Sequence, residues 1–223
     1  VESSASGYAR RGRLKCHGGG SELLRRAKGK LGHISVGVDN KEPPRDYYAD
    51  DRVWEAVRGA ACQELRDAMD IAYLTCQRPA DVLKMRWSDI RDGALEIVQN
   101  KTGKKLRILI EDGSELARTL SRIRARGVCG MTIIATPKGE RMSSFMRRTR
   151  FDAAREVSAI EAERIGDADL AARIRQFQFR DIRPKAASDD ETLDHASQIL
   201  GHSGTSITKR VYRRKGETVK PLK

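Results

Sequence analysis

The sequence predicts an α+β fold that is mainly α, with one small antiparallel sheet. Two observations carry that reading. Apolar residues recur at i, i+3, i+4 and i+7 through several separate segments, which is the period of a helix buried on one face. Only around residues 95–110 does the spacing change to strict alternation, Leu95 and Ile97 on one side and Leu106, Ile108 and Ile110 on the other, which is the period of a half-buried hairpin.

The helical pattern begins at Asp50 and Asp51, either of which can cap a first turn. Val53, Ala56, Val57 and Ala60 keep the period, and so do Leu65, Ala68, Met69 and Ala72. The pattern stops at Thr75-Cys76-Gln77-Arg78-Pro79. A residue before proline is pushed out of the α region, while proline itself suits the first turn of a helix. Arg78 is therefore expected at a joint between two helices, the second carrying Val82, Leu83 and Trp87.

The hairpin follows. Its connection, Asn100-Lys101-Thr102-Gly103-Lys104-Lys105, puts three lysines on one turn and does not match a P-loop. Alone, such a turn is equally well a solvated tip. Leu116, Leu120 and Ile123 mark another helix, and residues 131–135 a short buried strand. A helix over 143–159 is expected to turn Phe145, Phe151, Ala154 and Val157 inward and to present Arg147, Arg148, Arg150 and Arg155 on its outer surface. Residues 167–176 make a short helix with Leu170 and Ile174 inward. Leu193, Ala196 and Leu200 form the core face of a helix that ends at Gly201, a left-handed cap position. Ser203, Thr205 or Ser206 then starts the helix that carries Tyr212.

Residues 1–45 differ from this. They contain Gly18-Gly19-Gly20 and two basic clusters, Arg10 to Lys15 and Arg25 to Lys30, with too little apolar content for a core of their own. Pro43-Pro44 marks the end of the stretch.

Lys plus Arg number 44 and Asp plus Glu 31, so the 223-residue chain carries a net charge of +13. Such an excess points to a polyanionic partner, nucleic acid first. No apolar run approaches the ~20 residues of a membrane-spanning helix. No secretory leader is recognisable, so a cytoplasmic setting is expected. The four cysteines, Cys16, Cys62, Cys76 and Cys129, form no C-x-x-C pair. They suit neither a zinc ribbon nor a disulfide framework, and reduced structural thiols are expected.

The chemistry-bearing residues concentrate in residues 179–215. Arg180 and Arg183 are three apart, a spacing that shares one helical face. His202 follows Leu200-Gly201, and Tyr212 lies in a run with Lys209, Arg210, Arg213, Arg214 and Lys215. Guanidinium forks, an imidazole and a phenol among so much positive charge suit phosphate chemistry.

Four segments, in order, resemble the catalytic domain of the tyrosine recombinases, the phage integrase family. They are TCQRPADVLKMRWSDI, NKTGKKLRILI, FRDIRPKAASD and LGHSGTSITKRVY. The resemblance implies the fold of the DNA breaking-rejoining enzymes over residues 46–223, with 1–45 a linker or the remnant of an N-terminal core-binding domain. It implies site-specific DNA recombination, integration of a mobile element above all, in which a tyrosine attacks a backbone phosphate. A 3′-phosphotyrosyl link and a free 5′-hydroxyl result, and the stored bond energy lets a second 5′-hydroxyl reverse the attack. The catalytic set it implies is Arg78, Lys101, Arg180, Arg183, His202 and Tyr212. Tyr212 matches the nucleophile, Arg78 and Arg183 the two phosphate-holding arginines, Lys101 the general acid on the leaving 5′-oxygen, and His202 the histidine at the phosphate. No cofactor and no metal are needed, because fixed cations offset the charge of the transition state. The implied partners are double-stranded DNA and further copies of the chain, assembled in the family as a tetrameric synapse.

This sequence departs from the family pattern in three ways. Arg180 stands where histidine is usual, and a guanidinium cannot act as a base near neutral pH. The step from His202 to Tyr212 is one residue longer than usual. The stretch before residue 46 is too short for a core-binding domain. Apart from these departures, the tail RRKGETVKPLK has little apolar surface with which to dock on a neighbour. Two other readings share the same text: a degenerate DNA-binding remnant without catalysis, and a type IB-like topoisomerase that relaxes DNA without exchanging partners.

Overall fold

A computed structural model describes residues 45–214. The expectations for residues 1–44, basic clusters included, and for the tail beyond Arg214 lie outside the described residues. Within them the order is α1 (Asp51–Ala60), α2 (Gln63–Thr75), α3 (Pro79–Val82), β1 (Ile90–Arg91), β2 (Ala94–Val98), β3 (Lys105–Leu109), α4 (Glu115–Ala125), α5 (Ser144–Arg164), α6 (Ala168–Gln176), α7 (Ile182–Asp189), α8 (Leu193–Leu200) and α9 (Thr205–Ile207). The mainly helical fold with a small antiparallel sheet is as the sequence predicts.

Helix starts follow side-chain capping. Asp50, Ser114, Ser143, Asp167 and Thr192 each accept a backbone N–H three residues on, at 2.9–3.2 Å. Each satisfies one of the amides a helix leaves unpaired at its start. The first helical pattern is two helices, broken at Ala61 and Cys62, where the chain is extended.

The main core lies where α1, α2, α5 and α6 meet. Val53, Val57, Leu65, Met69, Ile71, Ile174 and Phe177 are buried there. Phe151 meets Phe177 and Phe179 edge-on, with ring centroids 5.3 and 5.6 Å apart. The sheet has the order β1-β2-β3, both pairings antiparallel, with Leu95 opposite Ile108 and Ile97 opposite Leu106. β1 is a third strand beyond the expected hairpin.

Several local expectations are corrected. Trp87 is not on a helix with Val82 and Leu83. α3 is four residues long, and Trp87 opens a 3-10 turn, Trp87–Asp89. Its amide donates to Met131 O at 3.1 Å instead of continuing the helix. Residues 131–135 are not a strand. They make only single bridges, Arg86 with Thr132 and Ala135 with Arg141, although Ile133 and Ile134 are buried. On α5 Phe151 and Ala154 point inward, but Phe145 and Val157 are exposed. Each lies six residues from Phe151, which at 100° per residue is a third of a turn away from the buried stripe. The outer arginine surface is also smaller than expected. Arg150 pairs with the nearly buried Glu64 at 3.6 Å, and Arg155 pairs with Asp152 at 3.1 Å and donates to Phe177 O.

Candidate active site

The site forms where the α2–α3 joint, the start of α7, the end of α8 and the turn after α9 converge. Cys76 ends α2 in the left-handed region, φ 53°, and Pro79 starts α3. Arg78 between them is extended (φ −67°, ψ 151°), so its direction is set by a helix on either side. Its Nη1 donates to Gln99 Oε1 at 3.3 Å.

Arg183 comes from the first turn of α7 and is 4% exposed. Its Nη1 donates to Cys76 O at 2.6 Å and its Nη2 to Leu200 O at 2.8 Å. Burial holds its pKa below the ordinary arginine value, yet a guanidinium starting above ~12 stays charged. Among the described residues it makes no ion pair, so its field remains for a bound anion. Burying an unpaired charge is costly, and two carbonyls with aimed lone pairs reduce that cost.

α8 stops at Gly201, φ 75°, as its sequence predicts. Glycine is required twice over here. A Cβ would sit in the left-handed region and 2.9 Å from Gln99 Nε2. His202 is next, its Nδ1 2.8 Å from Thr208 Oγ1. Burial first, then the Arg183, Arg78 and Lys104 cations, hold its imidazole below the usual histidine range. The ring is therefore neutral at pH 7.

Thr208–Tyr212 is a π-helical turn, closed by Arg213 N donating to Thr208 O at 3.0 Å. A π turn spends one more residue per hydrogen bond than an α turn. A turn of this kind has room for one residue more between His202 and Tyr212, and the Tyr212 ring packs against its neighbours. The Tyr212 ring lies 5.0 Å from the His202 ring and 5.3 Å from Arg183 Cζ. Ser188 fixes the backbone here. Its hydroxyl donates to Tyr212 O at 2.9 Å and accepts from Arg214 N at 2.8 Å.

A cavity of about 310 Å³ opens on this cluster, with Arg78, Arg180, Arg183, Tyr212 and Arg214 in its lining. Arg78, Arg183, His202 and Tyr212 are thus brought together. Arg180 reaches the cavity from its rim. It belongs to a 3-10 turn, Phe179–Asp181, and is exposed, whereas Arg183 is buried, so the two do not share one helical face. Lys101 is exposed on the hairpin turn and is not among the lining residues. Lys104 is the turn lysine that touches the site, donating to His202 O at 3.3 Å.

Two supporting groups are absent from the sequence-based candidates. Gln99, 1% exposed, donates through Nε2 to Gln77 Oε1 and Leu200 O and accepts through Oε1 from Arg78 and Thr102. One amide thus ties the lysine turn to Arg78 and to the end of α8. Asp181, also 1% exposed, receives Arg45 at 3.1 Å and Arg214 at 3.4 Å. Polar residues beside a turn or an arginine box carry no period that would have singled them out. Among the described residues no group of three or more His, Cys, Asp or Glu is placed to hold a metal ion, and no helix is long and apolar enough to cross a membrane.

The chain matches the phage integrase family over residues 52–218. It is 32% identical over 164 residues to the integrase of Escherichia phage lambda, covering 71% of this chain and 44% of that protein. It spans less than half the length of that curated relative. Among solved structures it resembles a lambda integrase dimer bound to a COC′ core site, with TM-score 0.63 and 25% identity over 90% of this chain and 59% of that one. It also resembles the lambda integrase catalytic core, with TM-score 0.54 and 27% identity over 71% of this chain and 92% of that one. The chain belongs to the phage integrase family.

Proposed function

We propose that this chain cuts and rejoins DNA strands in site-specific recombination, through a 3′-phosphotyrosyl intermediate on Tyr212. The observation that carries the reading is the contact of the Tyr212 ring with both Arg183 and His202. In the rival picture of a DNA-binding remnant the phenol has no reason to lie there. Arg78 and Arg183 hold the non-bridging oxygens of the scissile phosphate and offset the charge that builds in the transition state. Neutral His202 hydrogen-bonds the phosphate. Lys101 swings in from its exposed turn to protonate the leaving 5′-oxygen once DNA is bound. Residues 46–223 act as the catalytic domain, and 1–45 as a linker or domain remnant. Double-stranded DNA is the substrate and further copies of the chain are the partners on it, in keeping with the dimeric neighbour on its core site. The setting is the cytoplasm of a bacterial host cell.

A nicked suicide DNA substrate tests this. In EDTA, the chain should yield a covalent protein–DNA band on a denaturing gel, and Tyr212→Phe should bind the DNA and yield none. Adduct from the Phe variant would move the nucleophile elsewhere.

A further inference from the structure

Most arginines in the first half of α5 already have acids. Arg148 lies 3.8 Å from Asp152, Arg150 pairs with Glu64, and Arg155 with Asp152. Arg147 has none. Its guanidinium lies 4.8 Å over the ring of Phe179, which also meets Phe151 edge-on. Its Nε is buried without a hydrogen-bond partner, and burial pulls its pKa below the usual arginine value. The next residue after Phe179 is Arg180, exposed and with no hydrogen bond or ion pair to any described residue.

Arg147 and Arg180 face a common cavity of about 470 Å³, with Arg148, Asp152, Gln178 and Phe179 also in its wall. Pro79 and Arg180 belong to this wall and to that of the Tyr212 cavity, so the two cavities adjoin. One guanidinium lies over an aromatic ring and another stands where the two cavities adjoin, and neither makes an ion pair with a carboxylate among the described residues. Two such forks suit a tetrahedral oxyanion.

We infer that Arg147 and Arg180 form a second phosphate-binding subsite, which grips the backbone phosphate next to the one attacked by Tyr212. The inference rests on the strand-cleavage reading above and extends it. It gives Arg180 a task that a permanently charged group can perform. Arg180 does not take a proton. It fixes the register of the cleaved strand so that the scissile phosphate falls on Arg78 and Arg183.

The test uses suicide substrates carrying one uncharged methylphosphonate at each phosphate flanking the scissile position. Binding by gel shift and the rate of adduct formation are measured for the parent, Arg147→Gln and Arg180→Gln. At one flanking position the neutral linkage should weaken binding and slow the parent about tenfold, the worth of one charge-assisted contact. Each variant should lose a similar factor on unmodified DNA and lose little more when that same linkage is neutral. Losses that simply multiply at every position would overturn the subsite. Thermal melting separates misfolding of Arg147→Gln from loss of contact, and Arg180, being exposed, can be replaced without disturbing the core. A parent that makes no adduct with any substrate defeats the strand-cleavage reading instead, while the binding measurements still decide the subsite.

Discussion

At the scale of single residues the open assignment is the general acid. The turn offers Lys101, exposed and outside the cavity lining, and Lys104, which donates to His202 O. An ammonium already bonded to a carbonyl is a poorer proton donor to a leaving group than a free one. General-acid help is worth ~10²–10⁴-fold in rate. Lys101→Ala should therefore cleave ordinary DNA slowly and 5′-phosphorothiolate DNA almost as fast as the parent, because a thiolate leaves without a proton. Lys104→Ala should show a smaller loss and no rescue. If sulfur rescues Lys104→Ala and leaves Lys101→Ala slow, the two roles are exchanged. His202 gives a second expectation. Its imidazole titrates below its ordinary value in the folded chain, so as pH falls the unfolded chain takes up this proton first. Stability linked to His202 is complete above the unfolded value of ~6.5 and is lost as pH falls from there towards the folded value. The melting temperature of the parent should fall relative to His202→Gln between pH 7 and 5. A constant difference across that range would mean that the ring titrates as it does in the unfolded chain.

At the scale of elements, the segment that carries Tyr212 is held by a carboxylate that no sequence pattern singles out. Asp181 lies between the two arginines of its box and joins Arg45, ahead of α1, to Arg214, two residues beyond Tyr212. Arg214 also donates to Tyr47 O at 2.7 Å. Asp181→Asn leaves two cations facing a neutral amide, and breaking a buried pair costs ~3 kcal/mol. That is roughly 10 °C in melting temperature for a domain of this size. Well below the new melting temperature, adduct formation should still be slowed about tenfold or more while DNA affinity changes little, because the phenol and not the phosphate has lost its seat. An unchanged rate there would leave Ser188 as the sufficient anchor. Legibility divides along the same line. The helices of the core were readable because burial imposes a 3.6-residue period, and the end of α8 because only glycine fits Gly201. The π turn was not, since no residue pattern announces a widened turn, and the spacing from His202 to Tyr212 does not by itself say whether the additional residue lengthens a turn or displaces the phenol. Residues 131–135 look like a strand because they are apolar, yet single bridges are all their backbone makes.

At the scale of the whole molecule, the arginines of the described residues do not all serve one purpose. Many arginines are internal counter-ions. Arg58, Arg122 and Arg126 converge on Asp67 and Asp70, both nearly buried, and Arg150 serves Glu64. Those cations cannot also neutralise phosphates. Among the described residues, other cations stand at the site: the lysines of the exposed turn, Arg78 and Arg180 in the wall of the Tyr212 cavity, and Arg147 in the wall of the adjoining one. Two kinds of substitution should therefore separate. Arg126→Gln removes a partner of the fully buried Asp67, which Arg122 and Gln63 still contact, and should lower stability by about 2 kcal/mol, several degrees in melting temperature. It should leave the dependence of DNA affinity on salt untouched. Lys105→Gln, on the exposed turn, should leave melting unchanged and reduce the log–log salt slope by ~0.9, the contribution of one neutralised phosphate. Affinity measured for the parent and both variants across a range of salt concentrations checks the pair. Equal slopes for Lys105→Gln and the parent would mean that the turn does not lie on DNA. A reduced slope for Arg126→Gln would mean that the acidic cluster holds its arginines too loosely to keep them from phosphate.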